Sequence, residues 1–123
     1  LLNGKEVEKV RTIIAYRHYF EDFFTKLPID ARRKVYKVFE VIESQKVISK
    51  QYFEHIRDTD GLYEIKISMG SNTWRVFCFF DMGKLVVLLN GFQKKTQKTP
   101  PSEIAHAIRI KMKYFEEKTI GLI

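Results

Sequence analysis

At 123 residues the chain has the length of one compact domain, long enough to build a core without disulfide or metal staples. Apolar residues make up 45% and aromatic residues 14%, which excludes a disordered chain, and no apolar run exceeds that of Leu85 to Leu89, which excludes a membrane span. Lys and Arg number 22 against 15 Asp and Glu, and the formal net charge of +7 favours a polyanionic partner: RNA, DNA or an acidic protein.

The first ten residues, Leu1 to Val10, are polar and charged and read as a lead-in. The first residue is Leu, which leaves the true start of the protein open, and no signal-peptide pattern is visible. Arg11 to Tyr16, "RTIIAY", is β-rich and predicts a strand. In "HYFEDFFTKL", Phe20, Phe23, Phe24 and Leu27 follow helical spacing, and Pro28 stops that helix. Asp30 is the expected N-cap of a second helix, whose apolar face is Val35, Val38, Phe39 and Ile42. Residues 45–61 are ambiguous between a short strand and a turn of helix, and Asp60-Gly61 ends them.

Three strands are predicted next: Leu62 to Ser68, Thr73 to Phe80 and Lys84 to Phe92. The joints "MGSN" and "DMGK" are short and contain glycine, so the three form an antiparallel meander. A last helix runs from about Pro101 to Lys118, with Ile104, Ala107, Ile108, Met112 and Phe115 as its expected apolar face. The order is β-α-α-β-β-β-α, an α+β domain with a small twisted antiparallel sheet over residues 11–118 and a short tail at 119–123.

Two places combine residues suited to chemistry. Alternation sets Glu64 and Lys66 on one face of their strand and Tyr63, Ile65 and Ile67 on the other. Arg75 sits among Trp74, Val76 and Phe77, where a lone guanidinium is costly to desolvate. A cross-strand pair with Glu64 explains it and has the edge on spacing alone; a rigidly held phosphate grip also explains it. The second place is "GFQKKTQK", where Lys94, Lys95 and Lys98 follow the last strand and Phe92 offers a ring for base stacking. A solvated charge run is the plainer account of these lysines. Cys78 has no partner cysteine and reads as a buried apolar residue, compatible with a reducing compartment. His18, His55 and His106 lack metal-ligand spacing, and no metal or cofactor is expected.

Taken together, "GLYEIKIS", "RVFCFF" and "VVLLNGFQKKTQKTPPSEIAHA" resemble the RelE/ParE superfamily of bacterial toxins, in its HigB-like, phage-derived branch. The resemblance covers roughly Val10 to Lys118. It implies a fold like that of microbial ribonucleases and a cytoplasmic toxin of a type II toxin–antitoxin system that cuts mRNA in the ribosomal A site. The implied reaction is metal-free attack by a ribose 2′-hydroxyl on the adjacent phosphate. The implied partners are mRNA on the ribosome and a helix-turn-helix antitoxin of the HigA kind, with no membrane role.

Carried over by position, the resemblance implies catalytic roles for Lys66, Arg75, Lys95 and Glu64, with Arg75 as the transition-state clamp. Phe92, Lys94 and Lys98 become RNA-binding residues. Some relatives use a tyrosine near the final helix; here no tyrosine lies between Phe92 and Ser102, and Tyr114 comes too late. Two alternatives stay open: a ParE-like toxin that poisons DNA gyrase by binding, and a non-catalytic nucleic-acid-binding module.

Overall fold

The computed structural model describes residues 8–123, so most of the lead-in lies outside the described residues. The elements are β1 (Thr12–Ala15), α1 (Tyr19–Phe24), α2 (Ile29–Ser44), β2 (Phe53–His55), β3 (Tyr63–Met69), β4 (Asn72–Asp81), β5 (Leu85–Lys94) and α3 (Pro101–Thr119). The expected α+β order holds, with β2 added. The sheet runs β1-β5-β4-β3-β2. It is mixed rather than wholly antiparallel, because β1 pairs with β5 in parallel, Thr12 opposite Leu85.

The sheet is covered on both faces. Ile65, Ile67, Trp74, Val76, Cys78 and Leu88 pack against Leu27, Ala31, Val35, Val38 and Ile42 of the α1–α2 side. Leu62, Phe77, Phe79, Val87 and Leu89 pack against Ala107, Ile110 and Tyr114 of α3. That two-sided burial explains why β4 reads as a nearly continuous apolar run.

Two local expectations are corrected. Asp30 lies inside the first turn of α2, where a carboxylate favours the positive end of the helix, and Pro28 occupies the cap without a side-chain hydrogen bond. On α3 the buried residues are Ala107, Ile110, Tyr114 and Glu117, whereas Ile108, Met112 and Phe115 are exposed. The helix is turned because its C-terminal half is fixed by polar groups. Glu117 accepts from the Tyr16 hydroxyl and from Arg17. Asp81 accepts from the Tyr114 hydroxyl at 2.6 Å and from Lys118 Nζ at 2.8 Å. Among the described residues no helix is long and apolar enough to cross a membrane.

These two networks set the pH range of stability. Hydrogen bonds from Arg17, then Tyr16, hold the Glu117 carboxyl below the usual range. Burial pushes Asp81 up, but the hydrogen bonds from Lys118 and Tyr114 together outweigh it and leave the group lowered. Burial first, and then the bond to Asp81, push Tyr114 up to about 12. Lowered carboxyls contribute stability that is lost as pH falls through their folded values. Raised tyrosines contribute stability present below about pH 10 and lost as pH climbs toward the folded value. The melting temperature is therefore expected to be flat between about pH 5 and 10 and to fall on both sides. Tyr114→Phe should soften the alkaline fall, and an unchanged alkaline limb in that variant would contradict the assignment.

Candidate functional site

Sheet register assembles the site. Lys66 on β3 lies opposite Arg75 on β4, and Arg75 lies opposite Phe92 on β5. The three form a row on the face that α3 covers further along. The next row toward the β3–β4 hairpin is Ser68, Thr73 and Lys94. On the other side Glu64 faces Phe77, and the Phe92 ring stacks on Phe77 with centroids 5.6 Å apart and planes at 24°. Phe77 has no exposed surface, so it forms the apolar floor of a polar cluster.

Arg75 is held tightly but bonded sparsely. Its side chain is 11% exposed, and its Nε lies 3.6 Å from Glu64 Oε1, an ion pair too long for a hydrogen bond. One Nη donates to the Trp74 carbonyl at 3.1 Å. The buried Nε–H has no hydrogen-bond partner among the described residues. A guanidinium carries five donor hydrogens in a planar fork, so most of this one's capacity is unused by the protein. Arg75 does pair with Glu64, diagonally across the strands, and most of its donors are left unused by the described residues.

The surrounding groups fix that geometry. Glu64 Oε2 accepts from the Thr99 hydroxyl at 3.2 Å, which ties the loop before α3 to the sheet. Lys66 Nζ donates to Glu54 Oε1 at 2.7 Å. That bond, then the lysine's charge, holds the Glu54 carboxyl below its usual range, and the charge of Arg75 adds to the effect. Glu54 and Thr99 were not singled out from sequence. β2 is only three residues long, and its place beside β3 has no signal in residues 45–61.

Glu64, Lys66, Arg75, Phe92 and Lys94 are thus brought into adjoining rows. Lys95 and Lys98 are exposed beyond the strand end, and neither makes an ion pair or side-chain hydrogen bond to the cluster. Two carboxylates offset the two cations at the centre, so the local positive excess comes from Lys94, Lys95 and Lys98. Cys78 is fully buried, and burial pushes its thiol far up, away from thiolate chemistry. Tyr114 is bound to Asp81 at the opposite end of α3 and takes no part in this cluster.

The comparisons agree with this architecture. The family model described as "Phage derived protein Gp49-like (DUF891)" matches residues 22–112, which include β2 to β5 and the first two-thirds of α3. No curated protein matches the chain. Among solved structures, the chain is similar to the one described as "Crystal structure of archaeal RelE-RelB complex from Pyrococcus horikoshii OT3". The TM-score is 0.52 at 14% identity, over 69% of this chain and 96% of that one, a likeness of fold. The expected RelE-like α+β fold is therefore met by an independent structure, and the chain belongs to the phage-derived Gp49-like family.

Proposed function

We propose that this protein is the toxin of a type II toxin–antitoxin pair and cuts mRNA on the ribosome. The observation that carries the proposal is Arg75: a nearly buried guanidinium with an unpartnered Nε, in a row with Lys66 and next to Lys94. The sheet has already fixed the position of this guanidinium, so its Nη donors are preorganised to receive a phosphate, and the covered Nε joins them in a parallel pair once a neighbouring side chain yields. Phe92, opposite Arg75, supplies a ring for the adjoining base.

In the proposed reaction a ribose 2′-oxygen attacks the neighbouring phosphorus and loses its proton to Glu64. The bond from phosphorus to the 5′-oxygen breaks, and that oxygen takes up a proton from a water molecule, whose hydroxide is neutralised by the proton held on Glu64. The products are a 2′,3′-cyclic phosphate and a 5′-hydroxyl end. Arg75 and the lysines, Lys66 and Lys95 foremost, stabilise the charge that builds on the phosphate oxygens. A carboxylate is a weak base at neutral pH, so orientation of the message by the ribosome supplies much of the rate. Lys94 and Lys98 hold the RNA backbone. The similar RelE structure is a complex with RelB, which supports a protein partner here. We assign that role to a helix-turn-helix antitoxin of the HigA kind, acting in the cytoplasm.

Primer extension on one message in translated and untranslated forms tests this reading. Production of the protein alone should arrest growth and give new ends only in the translated message. Equal cutting of both would reject ribosome dependence. Growth arrest with intact messages would favour a toxin that binds DNA gyrase.

A further inference from the structure

Asn90 makes no side-chain bond to the Arg75 row. It is only 6% exposed, and neither its amide nitrogen nor its amide oxygen has a hydrogen-bond partner among the described residues. An unpaired buried amide is unfavourable, and one beside a cleft points to a ligand.

Its position comes from an irregularity in β5. Val76 faces Gly91 and Cys78 faces Leu88, so Phe77 stands opposite both Leu89 and Asn90. This is a β-bulge, which re-aims side chains. Leu89 and Phe92, three residues apart, consequently reach the same side of the sheet. Asn90, between them, lines a cleft of about 570 Å3 between α1, the second half of β5 and the first turns of α3. Gly91 allows α1 to close on the strand there: a Cβ at this residue would lie 2.7 Å from the Phe23 ring.

We propose that this cleft is a nucleobase subsite, in which the Asn90 amide pairs with the edge of a base beside the cleaved linkage. The inference rests on RNA being the substrate, as proposed above. A primary amide presents a donor and an acceptor side by side, the pattern of a base edge. Tyr19, Phe92 and His106 line the cleft and offer ring faces or edges to a flat guest. Asp22 and Glu103 outnumber Lys26 in the lining, which disfavours a phosphate and leaves an uncharged base as the better occupant. The volume falls within the ordinary range for a small-ligand site. Phe92 belongs both to this cleft and to the Arg75 row, whereas Trp74 and Leu27 of the lining lie on the other face of the sheet, so a nucleotide whose phosphate meets Arg75 would pass its base around the β5 edge beyond β1. Both amide atoms are covered, so the base must displace a wall side chain to reach them.

The test uses four uncleavable 2′-O-methyl tetranucleotides, one of each base, titrated by fluorescence anisotropy at fixed salt. Wild type should prefer one base over the weakest by about tenfold. Asn90→Leu should bind all four alike, and Asn90→Ala covers the case in which Leu crowds the bulge. Arg75→Ala should weaken all four by a common factor and keep their order. A folded Asn90 variant that keeps the wild-type order overturns the subsite, as does unfolding of both variants, which would make the amide structural. No base preference in wild type overturns it too, while a common loss in Arg75→Ala would leave the nuclease reading standing. A preference lost in Asn90→Leu with no effect of Arg75→Ala would keep the subsite and remove Arg75 from the phosphate. Absence of binding to all four would overturn the subsite, while the ribosome-dependent cleavage stands or falls by the primer-extension test.

Discussion

Arg75→Ala is expected to lower cleavage of translated mRNA by roughly a hundred- to a thousandfold, as loss of one preorganised oxyanion donor costs about 2–4 kcal/mol of transition-state stabilisation. The protein already leaves Arg75 Nε unpartnered and its contact with Glu64 at 3.6 Å, so removing the guanidinium breaks few bonds within the fold. Its main loss should therefore be in rate rather than in melting temperature. Glu64 keeps the Thr99 hydroxyl as a donor, which limits the cost of stranding its carboxylate. Arg75→Lys keeps a charge but not the planar fork, so it should recover folding more fully than cutting. Cleavage and thermal melting measured on the three proteins separate the roles. A folded Arg75→Ala protein that cuts at the wild-type rate would move the phosphate grip to Lys66 and the Lys94-Lys95 segment.

Phe77→Ala should have the largest effect on stability, about 3–5 kcal/mol, through lost burial and the cavity left behind. For a domain of this size that lowers the melting temperature by roughly 10–20 °C. The side chain has no exposed surface and lies under Phe92, opposite Glu64, so the loss should also loosen the Arg75 row. Phe77→Leu retains most of the volume and should cost less than half as much. Urea or thermal unfolding measures both variants. If Phe77→Ala melts within a few degrees of wild type, the packing account of the site floor is wrong.

The elements read most directly from sequence were those whose pattern is local. Alternation in "LYEIKI", the glycine turns and the proline before α3 are short-range signals, and β3, β4, β5 and α3 lie within two residues of their expected bounds. The parallel pairing of β1 with β5 was not legible, because Thr12 and Leu85 are 73 positions apart and parallel register has no turn to announce it. On α3 the expected face holds at Ile104 and Ala107 and fails in the C-terminal half, because a buried Glu117 declares itself only once Tyr16 and Arg17 are placed beside it. In the site, Glu64 and Arg75 could be brought together by strand alternation alone. Glu54 could not, since β2 has no pattern long enough to be read. Asn90 is not singled out by any pattern of its own; the mark the sequence does carry is Gly91 beside it, since a glycine inside a strand accompanies bulges and close backbone approach.

The central claim is that the Arg75 row promotes attack by a ribose 2′-oxygen on translated mRNA. The most direct measurement is the chemistry of the new 5′ ends in the translated message, read by whether they require phosphorylation before ligation. The account predicts 5′-hydroxyl ends in wild type, refractory to ligation until phosphorylated, with their yield reduced roughly a hundredfold or more in folded Arg75→Ala. Ends that ligate directly, carrying a 5′-phosphate, or 5′-hydroxyl ends of undiminished yield in Arg75→Ala, would contradict it.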